Sequence, residues 1–285
     1  MVQKATRLGG RSRTGRPLGN TTRGTTNPNR MRRVDRWLTG PQGWRLRPAV
    51  TGAPPIAVDL GYGASPRTAV EFFERIRAVS PSARVVGIEI EPERVARGAA
   101  LELEGLDFML GGFEIPVAAQ VSVIRAFNVL RQYDEADVPG IWDTMASRLT
   151  TTGVLIEGTC DEIGRRSSWV AVTKDGPQTL SISLRFGAFE LPSDVAERLP
   201  KALIHRNITG ERIHEFLGAA DAAWLTASPL ATFGNSQRFV AMCRALREAG
   251  WPICDSAARW RLGEMTVLWD AVAPRSGALA RIEEN

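Results

Sequence analysis

The sequence predicts an α/β protein built on a doubly wound, mostly parallel sheet. Three observations predict it. Between residues 56 and 157, short apolar runs alternate with stretches of helical period. The connections between them are short and rich in Gly and Pro. The two clearest apolar runs, 56–60 and 84–90, each place a carboxylate near the carboxyl end, Asp59 and Glu89. Strand–helix alternation of this kind folds as a parallel sheet with helices on both faces.

The elements follow in order. Met31, Val34, Trp37 and Leu38 recur at helical spacing, and Gly40-Pro41 ends the pattern. This predicts a short amphipathic helix that docks what precedes it onto the body. Residues 56–60 (IAVDL) are the first strand. Pro66 opens a helix, where its missing N–H costs nothing, and Val70, Phe73, Ile76 and Val79 continue it. Residues 84–90 are the second strand, and Pro92 opens the next helix, through Val95 to Leu103. Residues 107–110 are a third strand before Gly111-Gly112, and 121–126 a fourth. Ile141, Met145 and Leu149 line a helix face, Thr152-Gly153 is a turn, and 154–157 is a fifth strand.

The rhythm then changes. Residues 168–173 and 179–185 flank Lys174-Asp175-Gly176-Pro177, which reads as an antiparallel hairpin with an Asp-Gly turn. Residues 194–204, 211–226 and 237–249 read as helices. Residues 265–272 fit a last strand or a helix equally. The expected domains are a basic arm over 1–30, a docking helix and linker over 31–50, and a main domain over 51–285 with a helical elaboration near 190–250.

Composition narrows the class. At 44% hydrophobic and 24% charged, the 285 residues suit a soluble globular chain. No apolar run approaches a membrane span, and no apolar leader opens the sequence. The three cysteines, Cys160, Cys243 and Cys254, form no C-x-x-C pair, so free thiols in a reducing cytoplasm are expected, with neither disulfides nor a metal. The net charge of +5 is uneven. Residues 1–50 hold 12 of the 36 Lys+Arg and one acid, Asp35, a balance of +11; the rest carries −6. Arg11, Arg13, Arg16, Arg23, Arg30, Arg32 and Arg33 make the arm a candidate RNA contact. With only three lysines in the chain, part of that charge also reflects a general preference for arginine.

The loop Asp59-Leu60-Gly61-Tyr62-Gly63-Ala64-Ser65-Pro66 follows the first strand, at the edge where open α/β sheets bind ligands. Gly61 and Gly63 allow a tight turn and close approach. A dinucleotide loop places a third glycine where this chain has Pro66, and a carboxylate at Asp59 would face a pyrophosphate unfavourably. A carboxylate there suits a cation. Glu89, ending the second strand, suits a ribose diol. An ammonium and a ribose without phosphates describe S-adenosyl-L-methionine.

Asp59-Leu60-Gly61-Tyr62-Gly63 followed by Val86-Gly87-Ile88-Glu89-Ile90 resembles motif I and the acidic post-I motif of class I, Rossmann-like S-adenosylmethionine-dependent methyltransferases. The resemblance covers roughly residues 52–160. It implies a seven-stranded sheet whose last strands form a hairpin. It also implies that Asp59, Gly61 and Gly63 hold the methionine part, Glu89 the ribose and Ile90 the adenine, with Tyr62 among the cofactor contacts. Where the family often has an acid after strand three, the sequence reads Gly111-Gly112-Phe113, so a backbone group or Phe113 stacking stands in. Arg125-Ala126-Phe127-Asn128 follows the fourth strand, where the family lines the transfer site, which adds Arg125 and Asn128 to the expected cofactor contacts.

No general base announces itself, and the catalytic residue is left unassigned. Asp161, or Glu162 beside it, follows the fifth strand, and both also suit a helix cap. Tyr133 lies near the fourth-strand edge. His205, in an unusually polar His205-Arg206-Asn207 cluster, and His214 are the two histidines, and a structural role competes for each. The tryptophans are scattered singly, as packing residues are. The expected activity is methyl transfer in the cytoplasm to an unidentified acceptor. The acidic body favours a small molecule over RNA, with the arm then a lid or dimer contact. A nicotinamide-type oxidoreductase and a non-catalytic cofactor-binding protein are the alternatives. Oligomeric state is open.

Overall fold

A computed structural model of the protein describes residues 17–21, 27–50 and 52–275. Arg11, Arg13, Arg16 and Arg23, which carry most of the RNA-contact expectation, lie outside the described residues. The chain forms two compact units. The first takes in residues up to 129 and 139–156, the second 130–138 and those from 157 onward.

The elements run α1 (Arg32–Thr39), β1 (Ile56–Leu60), α2 (Arg67–Val79), β2 (Arg84–Glu89), α3 (Pro92–Ala99), β3 (Leu106–Leu110), β4 (Val121–Phe127), α4 (Val138–Ala146), β5 (Leu149–Cys160), β6 (Arg166–Thr173), β7 (Gly176–Leu184), α5 (Lys201–Ile204), α6 (Arg212–Thr226), α7 (Asn235–Glu248), α8 (Ala257–Trp260) and β8 (Glu264–Leu268). The strand order is β3-β2-β1-β4-β5-β6-β7-β8. Among the described residues the sheet has eight strands where the resemblance implied seven. The extra one is β8, antiparallel to β7.

In the first unit, β1 pairs in parallel with β2 and β4, and β2 with β3. Every residue of β1 and β4 is buried, as strands covered on both faces require. The register sets Leu60 beside Ile88 and Ala126, and Glu89 beside Leu110, so the carboxyl ends of four strands align. Of the apolar residues that continue α2, Ile76 is buried and the rest of the buried face is set by other residues. Ala69, Phe72 and Ile76 face the core, while Val79 is exposed. Burying Phe72 and Ile76 contributes about 1.5–3 kcal/mol each.

β5 corrects two expectations. Leu149 belongs to the strand, not to the helix face with Ile141 and Met145. The Thr152-Gly153 turn is a bend inside the strand. A Cβ on Gly153 would lie 2.9 Å from Leu149 Cβ and 3.0 Å from Val121 O. In a straight strand, residues four apart are separated by about 13 Å. Only glycine fits where the chain folds back this closely.

In the second unit, β6 and β7 form the expected hairpin, with Thr173 opposite Gly176 across Lys174-Asp175. Gly176 takes φ +97°, which a side chain would oppose. Pro177 sits at a register shift between Ala171 and Val172, where it removes no regular ladder bond. The helix expected over 194–204 is broken. Residues Pro192–Arg198 form a 3-10 turn, and Pro200 caps the short α5. Proline lacks the N–H that would continue the helix. Residues 265–272 resolve as the end of β8 followed by a 3-10 turn over Trp269–Ala271. Six of the eight tryptophans are buried: Trp37, Trp142, Trp169, Trp224, Trp260 and Trp269.

Candidate functional site

Residues expected to hold a cofactor gather at the carboxyl ends of β1, β2, β3 and β4, all in the first unit. Gly61 leaves β1 with φ +67° and its N–H donates to Ile88 O at 2.8 Å. Gly63 follows with φ +85°. Both values lie in the left-handed region that glycine reaches without strain. The Gly63 N–H donates to Glu89 Oε2 at 3.0 Å, so the glycine loop is closed onto the end of β2. Glu89 is 1% exposed. Its Oε1 accepts from Ile90 N–H at 3.2 Å and pairs with Arg94 Nη1 at 3.4 Å.

Tyr62 lies between the two glycines and is buried. Its ring meets Phe108 edge-on at 5.4 Å, and its hydroxyl donates to Arg94 O at 3.0 Å. Burial, and then the Glu89 and Asp59 carboxylates, push the phenol up, so it stays a neutral donor. Gly87 makes room for this packing. A Cβ there would lie 2.7 Å from the Phe108 ring and 3.1 Å from the Tyr62 ring.

Asp59 and Arg125, expected to contact a ligand, are each other's partners. Arg125 is fully buried. Its Nε donates to Asp59 Oδ1 at 2.9 Å and its Nη2 meets Oδ2 at 2.8 Å. Its Nη1 meets Asp35 Oδ1 at 2.5 Å, and Nη2 donates to Thr68 O at 3.0 Å. The guanidinium lies 4.0 Å from the centroid of the Phe72 ring. Asp35, on α1, also pairs with Arg75 of α2 at 2.6 Å. Two carboxylates thus meet two guanidinium groups. Burial alone would lower Arg125, but Asp35 and Asp59 outweigh it and hold its pKa above the ordinary value. Burial pushes the Asp59 carboxyl up, against the pull of Arg125. A carboxylate at this place does face a cation, and the cation belongs to the protein.

The third strand ends in Gly111, whose N–H donates to Glu89 O at 3.0 Å. The Gly112 N–H donates to Glu114 Oε1 at 2.8 Å. Phe113 is buried and its N–H donates to Leu18 O at 3.0 Å. Glu114 Oε2 accepts from Leu18 N–H at 3.0 Å. An acid does follow strand three, three residues later than expected. At the end of β4, Asn128 adopts φ +59°, a conformation asparagine tolerates better than most residues.

The catalytic candidates belong to the second unit. Asp161 Oδ1 accepts from Ile163 N–H at 3.2 Å and Arg165 N–H at 2.8 Å, and Oδ2 from Arg166 N–H at 3.1 Å. It clasps the turn between β5 and β6; strand β6 follows where a helix cap was expected. His205 is exposed at the end of α5, 3.1 Å from Lys201 Nζ. Tyr133 is half-buried on the 3-10 turn that follows Leu130. Cys160 and Cys243 are buried and Cys254 is exposed. Among the described residues no group of three His, Cys, Asp or Glu is placed to hold a metal ion, and no helix is long and apolar enough to cross a membrane.

Asp35 and Glu114 were not expected from the sequence. Asp35 had a signal, as the one acid among the first 50 residues on a helix otherwise flanked by arginines. Glu114 carries no local signal, because its role rests on a contact with Leu18, 96 positions away.

No family model matches this chain, and no curated protein does. Solved structures do. Human N-acetylserotonin methyltransferase with S-adenosylmethionine aligns at 19% identity over 39% of this chain and 32% of that one, with a TM-score of 0.30. The N,N-8-amino-8-demethyl-D-riboflavin dimethyltransferase of Streptomyces davawensis aligns at 15% identity over 36% and 31%, with a TM-score of 0.31. The plantazolicin methyltransferase BpumL with S-adenosylhomocysteine aligns at 15% identity over 46% and 48%, with a TM-score of 0.35. This chain spans less than half the length of each of these methyltransferases, and it is similar to them over that part alone.

Proposed function

We propose that this chain binds S-adenosyl-L-methionine along the carboxyl ends of β1, β2 and β3 and transfers its methyl group. One observation carries the reading. The parallel register sets the Gly61–Gly63 loop beside Glu89, with the Gly63 N–H on Glu89 Oε2 at 3.0 Å, and brings Gly111 to the other side of Glu89, its N–H on Glu89 O at 3.0 Å. That is a row of backbone N–H groups with the Glu89 carboxylate among them, which suits a ribose and an amino-acid part.

The roles follow from chemistry. Glu89 accepts from the ribose diol, the nearby Arg94 contact at 3.4 Å being the longest of its bonds and the first to yield. Gly61 and Gly63 let the amino-acid part approach the backbone. Asp59 acts from behind the loop, its charge balanced by Arg125, and fixes the end of β1. Phe113 N–H and the Glu114 carboxylate form a donor–acceptor pair for the edge of the adenine, and Ile90 packs on its face. Asn128, held in a left-handed turn, borders the transfer site. When bound, the cofactor supplies the methyl group and a sulfonium leaving group. The protein's part is alignment and exclusion of water.

A small-molecule acceptor fits the −6 balance of residues 51–285 better than RNA does, since surfaces for nucleic acid are basic. The test is calorimetric titration with S-adenosylhomocysteine and with NAD. Binding of the first and not the second is expected. Binding of NAD alone sinks the proposal in favour of a dinucleotide enzyme.

A further inference from the structure

Residues 17–21 lie against the loop that follows β3, and the contact is made by backbone. Leu18 N–H donates to Glu114 Oε2 at 3.0 Å, and Leu18 O accepts from Phe113 N–H at 3.0 Å. The Leu18 side chain is 53% exposed, so its apolar surface is not what is held. Glu114 keeps its other oxygen on the Gly112 N–H at 2.8 Å, which orients the carboxylate. Gly112 has to be glycine for this contact, because a Cβ there would lie 1.9 Å from Leu18 O.

The loop itself is held in a costly shape. Ile115 is fully buried and sits at φ +44° ahead of Pro116. A β-branched residue in the left-handed region is a genuine outlier, and such residues cluster at ligand clamps and switch regions. The loop is also fastened to the site, through Gly111 N–H on Glu89 O at 3.0 Å.

A peptide group presents one donor and one acceptor. So does the pairing edge of adenine, through its N6 amino group and N1. Glu114 and Phe113 N–H complement both equally well. We infer that the Leu18 backbone is an internal competitor for the adenine edge of the cofactor, so that residues 17–21 must leave Gly112 before the nucleoside enters. This rests on the cofactor reading above.

Because the competitor is part of the chain, its effect is a fixed reduction in affinity. The observed dissociation constant is the intrinsic one divided by the fraction of chains with the strap away, so a strap closed nine-tenths of the time weakens binding about tenfold.

The experiment is calorimetric titration of S-adenosylhomocysteine into the full chain, a deletion of residues 1–21, and the full chain with Leu18→Pro. The proline removes the N–H that Glu114 accepts, at an exposed position that leaves the core untouched. Circular dichroism melts check that each protein is folded. Binding about tenfold tighter in both altered proteins is expected. Equal binding in all three overturns the inference and leaves the cofactor reading standing. Weaker binding in the deletion also overturns it, making the strap a cover that the ligand uses. No binding to any of the three overturns the cofactor reading, and this inference with it.

Discussion

Arg125 holds Asp59 by a hydrogen bond from Nε to Oδ1 at 2.9 Å and an ion-pair contact of Nη2 with Oδ2 at 2.8 Å, both residues being buried at the base of the glycine loop. Asp35 completes the arrangement from α1 at 2.5 Å. The charge balance of this cluster ties the segment before the sheet to the end of β1. An ion cluster taken out of water is not by itself a source of stability, but breaking one is costly. Arg125→Met leaves Asp35 and Asp59 facing each other without their shared cation. It is expected to lower stability by about 3–5 kcal/mol in urea unfolding. A loss below about 1 kcal/mol would mean that water reaches these carboxylates.

Glu89→Gln tests the ribose end. The carboxylate accepts from two N–H groups and pairs with Arg94, and its charge strengthens each bond. A bond to a charged group is worth about 1.5–3 kcal/mol, so affinity for S-adenosylhomocysteine should fall roughly 10–100-fold. Calorimetry measures it. An unchanged affinity places the ribose elsewhere.

How much of this was legible in the sequence depends on what each feature rests on. The strands and the glycine loop were legible because apolar runs, Gly61, Gly63 and Pro66 carry local signals. The partner of Asp59 was not. Asp35, Asp59 and Arg125 are up to 90 positions apart, and no local pattern links them. The buried face of α2 has a related cause: whether Phe72 or Phe73 faces inward depends on where the strands lie. Pro200 is a local signal for the break before α5. The Leu18 contact is of the same hidden kind, because a backbone donor and acceptor exist at almost every residue and leave no mark in the sequence.

Gly87→Ala tests the packing beneath the loop. The new Cβ would meet the Phe108 ring at 2.7 Å and the Tyr62 ring at 3.1 Å. Overpacking of this kind costs about 1–3 kcal/mol, seen as a lower midpoint in urea. A neutral result would show that both rings shift freely.

Thiol titration tests the second unit. Burial pushes the Cys243 thiol well up, with Asp255 adding to it, and Cys160 is also buried. The native protein should react at one thiol, Cys254, and at all three when unfolded. Three rapid reactions in the native state would contradict the burial of Cys160 and Cys243.

The central claim is that the β1–β3 edge holds S-adenosyl-L-methionine. Thermal unfolding with and without S-adenosylhomocysteine tests it most directly. A ligand selective for the native state at about 100 times its Kd adds about 2.7 kcal/mol, which raises Tm by roughly 4–5 °C in a protein of this size. That rise is the expected result, with no rise for NAD. An unmoved Tm at saturating S-adenosylhomocysteine, together with a rise for NAD, would contradict it.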